Sequence, residues 1–66
     1  MAKLNDKDYD IVSVIYHSSQ AAEICSKYVQ DAAREGDKEA EQFFHDVQDK
    51  NESLVARGKD LLKSRM

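Results

Sequence analysis

Between residues 6 and 35, apolar or small side chains recur at intervals of three and four, which is the period of an α-helix with one buried side. They form two adjacent rows. The first row is Ile11, Ile15, Ser18, Ala22, Cys25, Val29 and Ala32, and the second is Val14, Ala21, Ile24 and Tyr28. Together the rows make an apolar side that is too wide for a single partner helix to cover.

A second helical pattern runs from residue 38 to about residue 63. Its seam, meaning the row expected to face the first helix, is Ala40, Phe44, Val47, Asn51, Leu54, Gly58 and Leu61. Phe43, Val55 and Leu62 widen this row on its flanks. The pattern therefore predicts a second amphipathic helix with an apolar surface of its own.

The chain reverses direction at Gly36 and Asp37. Glycine suits the left-handed conformation that follows the last turn of a helix, and aspartate accepts hydrogen bonds from the first free N–H groups of the next helix. We predict a single helical hairpin over residues 1–66, with helix 1 at about 6–35, a turn at 36–37 and helix 2 at about 38–63. Residues whose numbers total about 72 or 73 should then face each other.

The first helix carries a start signal at its N-terminus. Asn5 is a favoured N-cap, Asp6 and Asp8 place negative charge in the first turn, and Leu4 with Tyr9 has the spacing of a hydrophobic staple. The antiparallel fold brings this acidic segment beside a basic end of helix 2. We expect charge pairing within the chain between the acidic segment and Lys50, Arg57, Lys59, Lys63 and Arg65.

A hairpin of this size leaves apolar surface in water. A chain of 66 residues buries about 60% of the surface that it exposes when unfolded, and two helices alone bury less. Pairing of two copies about a two-fold axis would cover the remainder. We therefore predict an all-α homodimeric four-helix bundle whose core contains Ile15, Ala22, Cys25, Val29, Phe43, Phe44, Val47, Asn51, Leu54 and Leu61.

Composition agrees with an all-α fold and limits the partners. The chain has no proline, with 41% hydrophobic and 35% charged residues. Its net charge of −3 provides no positive field to attract nucleic acid or an anionic membrane. The longest nearly apolar run, residues 11–16, is far shorter than a membrane helix requires. With no signal-peptide pattern and a single cysteine, we expect a cytoplasmic protein that pairs with itself, and an unidentified protein partner stays open.

Several motifs together suggest a family. The long first helix ends in Glu35-Gly36, a short turn follows, and the pair Phe43-Phe44 comes early in the second helix. This combination, which extends from about Tyr9 to Leu62, resembles the first helical hairpin of rubrerythrins and other ferritin-like proteins. Further matching positions are Ser18-Ser19-Gln20-Ala21-Ala22, Tyr28, Ala32, Ala40, Leu61 and Leu62.

The resemblance implies a ferritin-like fold without its metal centre. In that family a carboxylate on the first helix and a Glu-x-x-His pair on the second supply half of a di-iron site, and a second hairpin or a symmetry mate supplies the rest. Alignment on Glu35-Gly36 places Ser19, Asn51 and Leu54 at those three positions. Because these side chains provide neither carboxylate nor imidazole, we expect no ferroxidase or peroxidase activity.

Remaining polar residues leave alternatives open. Glu41, His45 and Asp49 share one helix side and have the spacing of a metal site or of a solvated strip. For His17 there are two alternatives. It is an acid, base or metal ligand beside a cavity of the bundle, or it lies on the flank of the bundle and bonds to a neighbour or to water. Asn51, in a possible polar cluster with His17, Ser18 and Ser19, either specifies assembly or forms a small buried site for a ligand or water.

We predict a small non-catalytic helical assembly or interaction protein with no cofactor. We interpret Cys25 as a residue that packs in the core, with a disulfide across a dimer as the alternative. We interpret the aromatic residues as parts of the core and of the interface. A competing function is a ferritin-like metal-binding protein, an oxidoreductase included, with a different ligand set. Its ligands would come from His17, Glu23, Glu41 or His45. A third function, binding of a membrane surface or a partner helix, is disfavoured by the acidic charge.

Overall fold

The structure, a computed structural model, describes residues 6–65. Two helices, α1 (Asp6–Arg34) and α2 (Lys38–Ser64), pack against each other as an antiparallel hairpin measuring 51 × 17 × 13 Å. The all-α hairpin predicted from the sequence is thus confirmed. Helix α1 ends one residue earlier and α2 one residue later than predicted. The proposed N-cap Asn5 and the staple residue Leu4 lie outside the described residues.

The turn between the helices has the capping geometry expected from its sequence. Gly36 has a φ of +73°, the left-handed conformation that glycine adopts without steric cost. Its N–H donates to the Ala33 carbonyl at 3.1 Å, and the Asp37 N–H donates to the Ala32 carbonyl at 2.9 Å. These two bonds form a Schellman motif. The Asp37 carboxylate then accepts from the Ala40 N–H at 3.0 Å and caps α2.

The register between the helices also follows the prediction. At the turn end, the rings of Tyr28 and Phe44 lie 5.5 Å apart between centroids. Toward the open end, Ile15 packs against the backbone of Gly58. At the open end itself, Arg65 Nη1 lies 3.9 Å from Asp8 Oδ1. The numbers of each pair total 72 or 73, and the last pair confirms the expected contact between the acidic and basic ends.

The core of the hairpin is small. Within residues 6–65 the buried side chains are Ser18, Ala22, Cys25 and Ala32, all of them on α1. Helix α2 has no buried residue, because the side chains that it places against the small residues of α1 are larger, and each stays partly exposed beside the line of contact. Burial of large apolar side chains is the main term that stabilises a fold. Because the buried side chains here are small, this term contributes little to the stability of the single hairpin.

The ten residues predicted for the bundle core divide into three groups in the single chain. Ala22 and Cys25 are buried. Five are half-buried in the contact between the helices: Ile15, Val29, Phe44, Val47 and Asn51. The remaining three, Phe43, Leu54 and Leu61, are exposed. Within the described part of the chain, neither helix combines the length and apolar character needed to cross a membrane.

Candidate interaction surface

One long side of the hairpin carries large apolar side chains that are open to solvent. We call this side the apolar face. Its six members are between 43% and 61% exposed, and they are Val14, Ile24 and Tyr28 on α1 and Phe43, Leu54 and Leu61 on α2. Contiguous exposed apolar surface of this kind usually marks an interaction site.

Contacts between the helices place Val14 and Tyr28 of α1 on the same side as the α2 members of the face, and Ile24 lines a groove on α1 beside Tyr28. At the open end, one groove is lined by Val14 from α1 together with Leu54 and Leu61 from α2. At the turn end, the Tyr28 ring contacts Phe44, whose ring lies 5.6 Å from that of Phe43. The face therefore runs along the hairpin from the turn to the open end.

The groove at the open end, which we call the open-end groove, has a volume of about 270 Å³. Ile11 and Val14 line it from α1, and Leu54, Gly58 and Leu61 line it from α2, with Asp10 and Arg57 also in the lining. Gly58 contributes no side chain to it. The groove is thus an apolar concavity that carries one charge of each sign.

At the turn end the same face carries an exposed aromatic ring beside a smaller groove of about 200 Å³, whose lining includes Tyr28 and Phe44. Phe43 is 61% exposed, the largest exposed fraction on the apolar face. Its ring lies on Phe44, which in turn contacts Tyr28. A protruding aromatic ring therefore stands at one end of the face, and the larger concavity lies at the other.

The opposite side of the hairpin is more polar. A groove there is lined by Ser19 and Glu23 from α1, by Gln48 and Glu52 from α2, and by the apolar Ala22 and Val55. Covering these two carboxylates would impose a larger desolvation cost than covering the open-end groove, where the single carboxylate of Asp10 lies with the guanidinium of Arg57. The two sides of the hairpin therefore differ in what they can bind.

A smaller apolar patch lies on the outer surface of α1, away from α2. Tyr9, Val12 and Tyr16 line it, and Gln20 Nε2 donates to the Tyr16 hydroxyl at 3.0 Å. The aromatic residues were predicted as core and interface, but Tyr9 and Tyr16 are exposed and lie outside the contact with α2. Their helical positions are about half a turn away from the buried row, as the 3.6-residue period requires.

In the single chain Asn51 and His17 each bond to their own helix. The Asn51 Nδ2 donates to the Val47 carbonyl of its own helix at 2.9 Å. The His17 Nδ1 donates to the Ser13 carbonyl at 2.8 Å, and the imidazole is exposed beside Tyr16. Each side chain forms its hydrogen bond within its own helix, because the carbonyl four residues earlier lies within reach of a short polar side chain.

The candidate metal-binding residues do not assemble into a centre in the described chain. Glu41 is half-buried, while His45 and Asp49 are exposed. Across residues 6–65 no group of three His, Cys, Asp or Glu side chains is arranged to hold a metal ion. Cys25 is a free, buried cysteine, which fits the interpretation of this residue as packing.

Comparison of the chain with protein-family models, with curated proteins and with solved structures found no match.

Proposed function

We propose that this chain is a non-catalytic assembly protein in which two copies pair through their apolar faces to form a homodimeric four-helix bundle. One observation carries the proposal. Six large apolar side chains are exposed along one side of the hairpin, whereas the buried side chains of the described chain are small. An exposed apolar surface whose side chains are larger than the buried ones is typical of an obligate interface, which resembles a domain core cut in two.

The stabilisation available from pairing supports this arrangement. Full burial of a large apolar side chain contributes about 1.5–3 kcal/mol, so covering the exposed half of one contributes roughly 1 kcal/mol. Each copy presents six such side chains to its partner. Pairing would therefore add more apolar burial than Ala22, Cys25 and Ala32 provide within the hairpin.

The resemblance to ferritin-like hairpins supports the same assembly. In ferritin-like proteins two hairpins complete one bundle. At the three positions that align with the metal ligands of those proteins, this chain has Ser19, Asn51 and Leu54. In the structure Ser19 and Leu54 are exposed, and the Asn51 amide is bonded to its own helix. We propose a ferritin-like bundle that has a structural role and no di-iron chemistry.

The test compares two substitutions at similarly exposed aromatic residues. Phe43 lies on the apolar face and is 61% exposed, while Tyr9 lies on the outer surface of α1 and is 65% exposed. We expect the untagged wild-type chain and Tyr9→Glu to have about twice the 7.5 kDa chain mass by size exclusion with light scattering. Phe43→Glu should have the mass of one chain.

Two outcomes contradict the proposal. A wild-type chain that stays monomeric at high micromolar concentration has no self-assembly, and equal behaviour of the two variants places the interface elsewhere. The same untagged sample should be dialysed and its metal content measured by plasma mass spectrometry. Stoichiometric metal that survives dialysis would instead support the metal-binding function.

A further inference from the structure

The apolar face is complementary to itself when it is turned end for end. Helix α2 spans Lys38–Ser64, so its midpoint is Asn51. The protruding Phe43 precedes this midpoint by eight residues, and Gly58, in the lining of the open-end groove, follows it by seven. At a rise of 1.5 Å per residue, Phe43 and the open-end groove lie at nearly equal distances of about 11 Å from Asn51, on opposite sides of it.

We infer that the partner of the apolar face is a second copy of this chain docked antiparallel, with the turn of each hairpin against the open end of the other. This inference rests on the proposed self-pairing. A two-fold axis passing near Asn51 and across the helices places Phe43 of each copy over the open-end groove of its partner. Both grooves are filled by the same operation, as an isologous interface requires.

The alternative two-fold arrangement is less complementary, because the groove at the turn end is smaller, about 200 Å³, and is lined by the carboxylates of Asp31, Glu35 and Asp37. An axis parallel to the helices would bring the two turns together, so that both Phe43 rings would meet at one end of the bundle. The two open-end grooves would then face each other at the other end, with no side chain to fill them. Voids lined by apolar atoms lose the contacts that a filled core provides.

Charges at the edge of the face favour the same antiparallel docking. Asp46 precedes Asn51 by five residues and Arg57 follows it by six, so antiparallel α2 helices bring Asp46 of one copy beside Arg57 of the other, twice per dimer. Arg57 also lines the groove that receives Phe43. The Asp46 carboxylate already accepts from Gln42 Nε2 at 2.9 Å and has further acceptor capacity.

Antiparallel docking also brings two acidic groups on α1 toward each other, Asp10 of one copy and Asp31 of its partner. Asp31 is already paired in its own chain, where Arg34 Nη2 lies 2.9 Å from its Oδ1. Asp10 would therefore approach an ion pair, not an isolated carboxylate. This contact also occurs twice per dimer, but it opposes the docking less than the two Asp46–Arg57 pairs favour it, because each Asp31 is already paired with Arg34.

Distances between nitroxide labels distinguish the two arrangements. Cys25→Ala removes the free thiol, and chromatography first checks that this background still forms the dimer. Glu39 precedes Asn51 by twelve residues, so labels at Glu39→Cys in an antiparallel dimer should lie roughly 35–40 Å apart. Turn-to-turn docking would place them below about 25 Å. A mixed dimer with one label at Glu39→Cys and one at Ser64→Cys should give the short distance in the antiparallel case.

A charge exchange in the wild-type Cys25 background provides the second test. Arg57→Glu should weaken dimerisation at least tenfold, and Asp46→Arg combined with Arg57→Glu should restore it to within about threefold. Lys59→Glu, a charge reversal of the same size at an exposed position of the same helix and thirteen residues from Asp46, is the control and should not be rescued by Asp46→Arg. A dimer with short Glu39 distances, or one without this rescue, overturns the orientation alone. A wild-type monomer overturns the proposed function as well.

Discussion

Ile15 packs directly over the backbone of Gly58. A β-carbon at Gly58 would lie 2.7 Å from Ile15 Cγ1 and 3.3 Å from Ile15 Cδ1, so the two helices approach at a point where no side chain fits. A glycine inside a helix costs about 1 kcal/mol relative to alanine. In this hairpin the glycine permits the close approach.

Gly58→Ala should lower the free energy of unfolding. The gain in helix propensity of about 1 kcal/mol is opposed by overpacking against Ile15, which costs about 1–3 kcal/mol. We expect a net loss of about 1 kcal/mol in urea unfolding at one fixed protein concentration. Ile15→Ala removes the atoms that clash, so the double variant should lose less than the two single variants together.

The control for Gly58→Ala is Ala56→Gly, an exposed position on the same helix. It measures the propensity cost of glycine in α2 without any contact to α1. If Gly58→Ala is more stable than wild type by the amount that Ala56→Gly is less stable, the close contact with Ile15 has no energetic consequence.

Gly36→Ala should destabilise the hairpin by about 1–2 kcal/mol, because an L-residue at a φ of +73° is strained. An added β-carbon meets no atom within 4 Å, so the effect belongs to the backbone and not to packing. The measurement is thermal unfolding followed by circular dichroism. A synthetic chain with D-alanine at this position should equal or exceed wild type, and equal losses for both enantiomers would contradict the explanation.

Asp37→Ala should cost about 1 kcal/mol, since it removes the acceptor for the Ala40 N–H. Asp37→Asn keeps an oxygen at the same place and should recover most of that loss. Urea unfolding of both variants at the same concentration makes the comparison. If Asp37→Asn is as unstable as Asp37→Ala, the hydrogen bond is not the source of the stabilisation.

The melting temperature should rise with protein concentration if two copies fold as one unit, because mass action stabilises the dimer. We expect an upward shift over a hundredfold range for wild type and Tyr9→Glu. Phe43→Glu should melt at a lower temperature that does not depend on concentration. A concentration-independent wild type would contradict self-pairing.

The contact between Arg65 and Asp8 should contribute little to the free energy of unfolding. Its closest atoms are 3.9 Å apart, near the limit for an ion pair, and the Arg65 side chain is 43% exposed. Exposed ion pairs contribute about 0–1 kcal/mol, so we expect Arg65→Met to change the urea unfolding free energy by less than about 0.5 kcal/mol. A loss well above 1 kcal/mol would show that this pair fastens the open end of the hairpin.

The elements of this fold could be predicted because they depend on neighbours in the sequence. The three- and four-residue spacing of the apolar side chains marked both helices, and Gly36-Asp37 carried the capping signals for the reversal. The register followed from the short turn, since two residues between the helices leave little freedom in which positions face each other. Even the contact between Ile15 and Gly58 obeys that rule.

The interaction surface could be predicted in part. The double row on α1 indicated that one partner helix would not cover it, and Val14, Ile24 and Tyr28 are exposed on the apolar face as that row requires. The outer patch of Tyr9 and Tyr16 was missed, although these two residues and Val12 recur at helical spacing on a row of their own. Its signal was weaker because three residues make a short row.

The sequence by itself determined that the chain forms two amphipathic helices, where they reverse and in what register they pack, because these properties follow from helical period, capping and turn length. The tertiary structure alone decided which arc of each helix remains exposed, because that outcome depends on where α2 covers α1. Asn51 and His17 instead bond to carbonyls of their own helices, so their hydrogen bonds are local. The opposition of a protruding Phe43 and a concave groove at Gly58 also belongs to the tertiary structure, since shape arises from two helices together.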